Sequence, residues 1–300
     1  MQGDNVGLEF KVRERKRKLS LGKIAWIFAM PAFVAQLIFG WYPLIASFVV
    51  AFQEFSFFGN KFVGFANFQY FFDDPLFYKS FINTLYYAGL SLTLTFLVPI
   101  LIAILLMEMK KSVIRVMMLL WFIPVASMAG LIIWTWFYNP QYGFFNGILV
   151  KLGLPTSTWL GNSRIVILCL VLPGLIMFAP GLVYIASLQS IPESFYEAAE
   201  LEGASFFKKI WHITIPRLRP IIAVMLILAV IGNLQVFNQP YVMTGGGPNF
   251  ASYTVVMYIY EIAFRHLKFG RGTALAVMFF FVIMALIIIQ RKYFKENIDT

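Results

Sequence analysis

The sequence predicts an all-α integral membrane protein with six transmembrane helices and both termini in the cytoplasm. Three observations carry that reading. Hydrophobic residues make up 60% of the 300-residue chain and charged residues only 13%, about half the charged share of soluble proteins. Six apolar runs, near 24–52, 84–107, 113–138, 165–188, 220–239 and 272–290, each approach or exceed the roughly 17–25 residues a spanning helix needs. Threading the chain through six spans leaves seventeen Lys or Arg inside and seven outside, as the positive-inside rule requires. The net charge of +10 is explained by topology and does not call for nucleic acid.

The first run follows a basic tail (1–23) that carries Lys11, Arg13, Arg15, Lys16, Arg17, Lys18 and Lys23. From Ile24 to Phe52 it exceeds the roughly 7–15 apolar residues of a signal peptide, so it reads as a retained span. Residues 24–79 then comprise this span and an outer loop. Prolines at 31, 43, 99, 124, 173 and 180 fall in or near spans, where neighbouring helices can satisfy the freed carbonyls. The outer segments 53–83 and 139–164 are too short for independent domains. Trp134, Trp136 and Tyr138 read as an interfacial aromatic belt. Cys169, the single cysteine, excludes a disulfide framework and reads as a packed thiol. A seventh apolar stretch, Tyr253–Phe264, is about 12 residues long, carries Glu261 and suits an interfacial or re-entrant helix. Counting it as a span would put the C-terminal basic tail (291–300) outside.

The cytoplasmic loop 190–219 reads as two short helices with a hinge. Ser190-Ile191-Pro192-Glu193 fits a capping box, and Gly203 suits the left-handed position that ends a helix near Glu202. Ser205 would cap a second helix from Phe206 to about Ile213, with Pro216 stopping it and Pro220 opening the fifth span. Glu193, Glu197 and Glu200 share one helical face; Ser194, Ala198 and Leu201 share another. Small residues admit a close partner surface and carboxylates meet a basic one. On pattern alone, a solvated connector is the competing reading.

Spacing decides between them. Glu197-Ala198-Ala199, three residues, Gly203, nine residues, then Ile213-Thr214-Ile215-Pro216 resembles the EAA loop of type I binding-protein-dependent ABC importer permeases. The similarity is closest to the carbohydrate branch that includes maltose and glycerol-phosphate permeases. The permease domain would cover 80–290. Phe81-Ile82-Asn83-Thr84-Leu85, Met243-Thr244-Gly245-Gly246-Gly247-Pro248 and Phe269-Gly270-Arg271-Gly272-Thr273-Ala274 support it. Arg271-Gly272-Thr273 departs from the usual three residues after that glycine, and Ile215 stands where Leu is usual. The resemblance implies a type I importer permease fold, with Glu197, Ala198, Ala199, Gly203, Ile213 and Pro216 as ATPase-coupling residues. It also implies that Glu197 pairs with a basic residue on an ATP-binding subunit, and that Gly203 is the bend between coupling helices. The partners it implies are a second homologous permease, two ATP-binding cassette ATPases and an extracytoplasmic solute-binding protein, together with membrane lipid.

The chain itself lacks a phosphate-binding loop, since no Lys-Ser/Thr follows Gly245–Pro248. ATP would therefore be bound by partner subunits, with no cofactor, metal or catalytic residue here. His212 and His266 are isolated and form neither dyad nor metal site. The mid-spans hold no ionisable residue, which speaks against a secondary transporter coupled to protons or sodium. Asn233 lies near the middle of the fifth span, with Ala229, Gly232 and Val236 on its face. A neutral amide among small residues suits a hydroxyl-rich solute, while interhelical hydrogen bonding is the alternative. The facing positions of the fourth span, Leu172, Leu175, Ile176 and Ala179, are apolar. The expected function is translocation of a di- or oligosaccharide or polyol across the plasma membrane. Glycerol phosphate or another small solute is the alternative cargo.

Overall fold

The computed structural model describes residues 18–55, 59–122, 128–175 and 181–298, most of them helical. In chain order, α1 (Lys18–Gln36) passes through a π-turn at Leu37–Trp41 into α2 (Tyr42–Val50). A two-residue antiparallel hairpin follows, β1 (Gln53–Glu54) with β2 (Lys61–Phe62), Gln53 opposite Phe62. Then come α3 (Ala66–Phe72), α4 (Pro75–Thr95), α5 (Leu97–Met107), α6 (Lys111–Phe122), α7 (Met128–Phe137), α8 (Phe144–Lys151), α9 (Val166–Val171) and α10 (Gly181–Gln189). The chain closes with α11 (Ser194–Leu201), α12 (Phe206–Lys209), α13 (Ile215–Leu234), α14 (Asn238–Thr244), α15 (Val255–Tyr260) and α16 (Phe269–Ile298).

Four helical stretches among the described residues are long and apolar enough to cross a membrane: Phe28–Val50, Pro75–Met107, Phe206–Thr244 and Phe269–Lys292. The expected spans at 113–138 and 165–188 each run through residues outside the described set, as do Ile176 and Ala179; α6, α7, α9 and α10 flank those gaps. Two boundaries differ from expectation. The second span begins at Pro75 rather than 84, because the Asp74 carboxylate accepts the Leu76 N–H at 2.8 Å and Pro75 occupies the first turn, where no amide donor is needed. The fifth does not begin at Pro220. α12, a π-turn at Ile210–Thr214 and α13 form one continuous helical run. The π-turn widens the backbone just ahead of Pro216, whose ring would otherwise press on the carbonyl four residues back. Pro216 falls in the first turn of α13, and Pro220 is carried inside it.

Three clusters hold the chain together. One gathers Ile100, Ala103, Tyr184, Ile185, Leu188 and Leu218 from α5, α10 and α13 at the end nearest α11. A second packs α7, α9 and α14 around Trp134, Tyr138, Leu170 and Val236. The third joins α3, α4, α15 and α16 through Phe71, Phe77, Val255, Tyr258, Leu275 and Phe279. In lipid, apolar burial between helices gains little from water exclusion, so close packing and polar ties must supply the specificity. Such ties are present. Asn83 Nδ2 donates to the Phe250 and Tyr253 carbonyls at 2.8 and 3.0 Å, and the Val255 N–H donates to Thr84 Oγ1 at 3.0 Å.

These ties bear on two expectations. The stretch 253–264 packs into the third cluster. Tyr253, Val255, Met257, Tyr258 and Ile262 are buried, and the tyrosine hydroxyls find carboxylate partners, Tyr253 on Glu261 and Tyr258 on Asp74. Trp134 and Tyr138 are likewise buried among Phe145 and Trp159, leaving Trp136 exposed. Cys169 is buried, as expected of a packed thiol.

The start of α16 is the tightest joint. A Cβ on Gly270 would lie 1.9 Å from the Gln53 carbonyl oxygen, and one on Gly272 2.7 Å from Ala263 Cβ. Gly272 thus leaves room where the turn after α15 crowds the helix. Gly270→Ala should destabilise the protein by about 1–3 kcal/mol through overpacking. Gly89→Ala, in α4 with nothing near its added methyl, should change stability by less than about 1 kcal/mol or improve it. Thermal unfolding of the detergent-purified protein reads both; equal losses would contradict the packing account.

Candidate functional site

The loop between α10 and α13 folds into a compact two-helix hook. Ser190 does not form a capping box: its Oγ donates back to the Ser187 carbonyl at 2.7 Å, closing α10. α11 therefore starts later, after its N-cap Glu193. Its C-terminus follows the Schellman geometry. The Gly203 N–H donates to the Glu200 carbonyl at 2.9 Å and the Ala204 N–H to that of Ala199 at 2.8 Å. Gly203 has φ +74°, which a side chain resists. Ser205 occupies the N-cap position of α12 with an extended backbone, but its hydroxyl makes no cap bond.

Two side-chain bonds across the bend brace the hook. Lys209 Nζ reaches Glu200 Oε1 at 2.6 Å, the one ion pair among the described residues. The Tyr196 hydroxyl and Thr214 Oγ1 lie 3.1 Å apart. Glu200 is therefore committed to Lys209, while Glu193, the N-cap of α11 in helical conformation, lines the same cleft as Glu200. Glu197, Ala198 and Gly203 are exposed; Ala199, Ile213 and Pro216 are half-buried. Ile213 packs on the cluster around Leu188 and Leu218. The predicted coupling residues thus divide into an outward group and a group that ties the hook to the bundle.

The surface of the hook is unexpectedly apolar: Leu201 is 91% exposed, Phe207 79% and Trp211 69%. Phe195 is exposed too, under the Arg217 guanidinium at 4.0 Å. Sequence reasoning placed Leu201 on a partner-facing side but missed Phe195, Phe207 and Trp211, although large apolar side chains in a charged loop were the available signal. Behind the hook lies a cleft of about 670 Å³, floored by Ile104, Met107 and Leu188 and rimmed by Glu108 and Lys209.

At the other end of the run, α13 stops at Leu234 and α14 resumes at Asn238. Asn233 is the penultimate residue of α13, not a mid-helix residue. Its Nδ2 donates to the Ala229 carbonyl at 2.8 Å. Gly232 is exposed and Ala229 half-buried. Val236 departs from the expected face, because the helix has already ended. Its side chain is buried in the cluster around Trp134, and its carbonyl accepts from Thr254 Oγ1 at 3.0 Å. Gln235 and Asn238 are exposed at the break and Gln239 is half-buried, giving a concentration of amides where backbone groups are also freed.

The Gly-rich turn that follows shapes the next element. Gly245 and Gly246 take φ +58° and +87°, and a Cβ on Gly246 would lie 2.6 Å from the Tyr253 ring. Tyr253 donates to Glu261 Oε2 at 2.6 Å. Burial, reinforced by that bond, pushes its phenol well above the ordinary range, so it stays a donor at any working pH.

No protein-family model matches the chain. It is 32% identical over 283 residues to probable ABC transporter permease protein YurN of Bacillus subtilis, spanning 91% of this chain and 97% of that one. With the trehalose/maltose transport system permease protein MalF of Thermococcus litoralis it shares 31% over 287 residues, covering 92% and 95%. With the sulfoquinovosyl glycerol transport system permease protein SmoG of Agrobacterium fabrum it shares 33% over 249 residues, covering 79% and 78%. A chain in the crystal structure of a bacterial alginate ABC transporter, in complex with an alginate pentasaccharide-bound periplasmic protein, superposes with a TM-score of 0.81 at 23% identity, covering 95% of this chain and 98% of that one. This match shows a common fold. The chain belongs to the permease family of ABC transporters and is a multi-pass membrane protein.

Gly203→Val should strain the left-handed turn by about 1–2 kcal/mol and loosen the hook. Tyr196→Phe, which removes only the bond to Thr214, should cost about 1 kcal/mol. Limited trypsin digestion at Lys208 and Lys209 in the purified protein should accelerate more for Gly203→Val. Identical digestion rates to the parent in both would mean the hook is not braced as described.

Proposed function

We propose that this chain is the translocation subunit of an ATP-driven importer for a carbohydrate, with six spans and both termini in the cytoplasm. Its partners would be a second homologous permease, two ATP-binding subunits and an extracytoplasmic solute-binding protein. ATP chemistry belongs to the ATPases; this chain supplies the path and the mechanical link.

The observation that carries the reading is the hook. An exposed carboxylate, Glu197, and exposed Leu201, Phe207 and Trp211 are carried by one braced hook. Its second helix continues without a break into α13. A basic group in an apolar cleft on the ATPase would match both features. α13 spans about 30 Å at 1.5 Å per residue, the thickness of a bilayer core. A closure of the ATPases that shifts the hook would move the amide-bearing break as one rigid body. Asn233, Gly232 and Ala229 are proposed to border the path there, with Gln235 and Asn238 beside them. Carbohydrate cargo is supported by the names of relatives for trehalose or maltose, arabinooligosaccharides and sulfoquinovosyl glycerol, and by neutral amides suited to hydroxyl groups.

Glu197→Lys should lower the stimulation of ATP hydrolysis by loaded binding protein about tenfold or more, and Glu197→Gln much less, because only the lysine sets like charges together. ATPase assays on reconstituted complexes read this; full stimulation in Glu197→Lys would leave the hook a passive connector. For topology, single cysteines at Ser20, Ser205 and Asn297 in a Cys169→Ala background should react with an impermeant maleimide only from the cytoplasmic side. Labelling of the Asn297 position from outside would remove the six-span arrangement.

A further inference from the structure

We propose that a cavity beyond the break in the fifth helical run is a separate carbohydrate subsite, built for a neutral pyranose ring. The inference rests on the importer reading and adds a place for the solute that the amides of the break do not include. The cavity measures about 410 Å³ and is walled by Tyr241 of α14, Tyr260 at the end of α15, and Glu261 and Arg265 of the π-turn after it. A volume of that size holds a small ligand. It lies past the end of α13 farthest from the hook, about 30 Å away, and therefore on the side where a binding protein would release solute.

The walls match the two chemistries of a sugar ring. Phe237 backs Tyr241 in an offset stack, with ring centroids 4.8 Å apart and planes at 18°. Tyr260 stands edge-on to Tyr241 at 5.6 Å and 76°. The rings make a rigid aromatic corner for the C–H face of a pyranose. The hydroxyl rim of a pyranose needs donors and acceptors together. Arg265 supplies donors only and a carboxylate supplies acceptors only. Glu261 is held by the buried Tyr253 at one oxygen, leaving the other to accept, and Arg265 forms no ion pair among the described residues. With one charge of each sign on the wall, the site offers an acidic sugar no net attraction over a neutral one. Gly246 has a role in this arrangement: its missing Cβ admits the Tyr253 ring that fixes Glu261.

The test uses the complete transporter in nanodiscs and saturation-transfer NMR, with maltose, trehalose and arabinotriose as neutral probes and digalacturonate as the acidic one. At least one neutral sugar should receive saturation from the parent complex, and digalacturonate no more than that sugar. That signal should fall roughly tenfold in Tyr260→Leu and in Arg265→Ala, the loss of one stacking or charge-assisted contact. Glu261→Gln keeps the side-chain size and gives the same test should a truncation fail to assemble. An unchanged signal in the assembled variants, a preference for digalacturonate, or no signal from any neutral sugar would overturn the subsite. Stimulation of the parent ATPase by loaded binding protein is measured in parallel. Its absence defeats the importer reading, whereas its presence with unaltered sugar binding in the variants defeats the subsite alone.

Discussion

The structure depends on one constraint: backbone polar groups in an apolar surrounding must be satisfied within the helix that carries them. The run from Phe206 to Thr244 meets this although Pro216 and Pro220 lie along it. A π-turn ahead of Pro216 absorbs the ring without ending the helix, so the hook and α13 are mechanically one piece. Where the run does break, between Leu234 and Asn238, side-chain amides gather beside the freed backbone groups. Continuity at one end and interruption at the other turn a span into a lever with a polar tip.

A second dependence is the packing between α4, α15 and α16. Three sequence segments far apart in the chain converge there. Asn83 and Thr84 of α4 bind the backbone at 250–255, the glycine turn makes room for Tyr253, and Gly270 and Gly272 let α16 approach the hairpin and the end of α15. Each segment is defined by what it permits a neighbour to do. The polar ties and glycine contacts specify the fold where apolar burial alone would not discriminate among helix arrangements.

The first helix stands apart from this scheme. Its stretch Phe28–Val50 shows no buried residue among the described side chains, and α2 meets the bundle where Phe48 sits edge-on to Phe280 at 5.9 Å.

Much of the protein was legible in the sequence. Composition and charge distribution determined a membrane bundle, because an apolar run of about 20 residues has few other destinations. The spacing from Glu197 to Pro216 identified the hook, and Gly203 its bend, because only a residue without Cβ sits easily at φ +74°. Tertiary structure decided the rest. Pro216 reads locally as a stop, yet a π-turn two residues away carries the helix past it. Ser190 and Glu193 have capping-box spacing, yet α10 claims the serine. Glu200 matches its neighbours in type, yet Lys209, nine residues on, takes its carboxylate. Val236 continues the small-residue face by counting, yet the helix ends first. Tyr253–Phe264 suits an interface by composition, yet hydroxyl partners on Asp74 and Glu261 let it enter the core. For Glu200 and Tyr258 the deciding partner lies across a bend or on another helix, and periodicity along one segment of sequence carries no information about it.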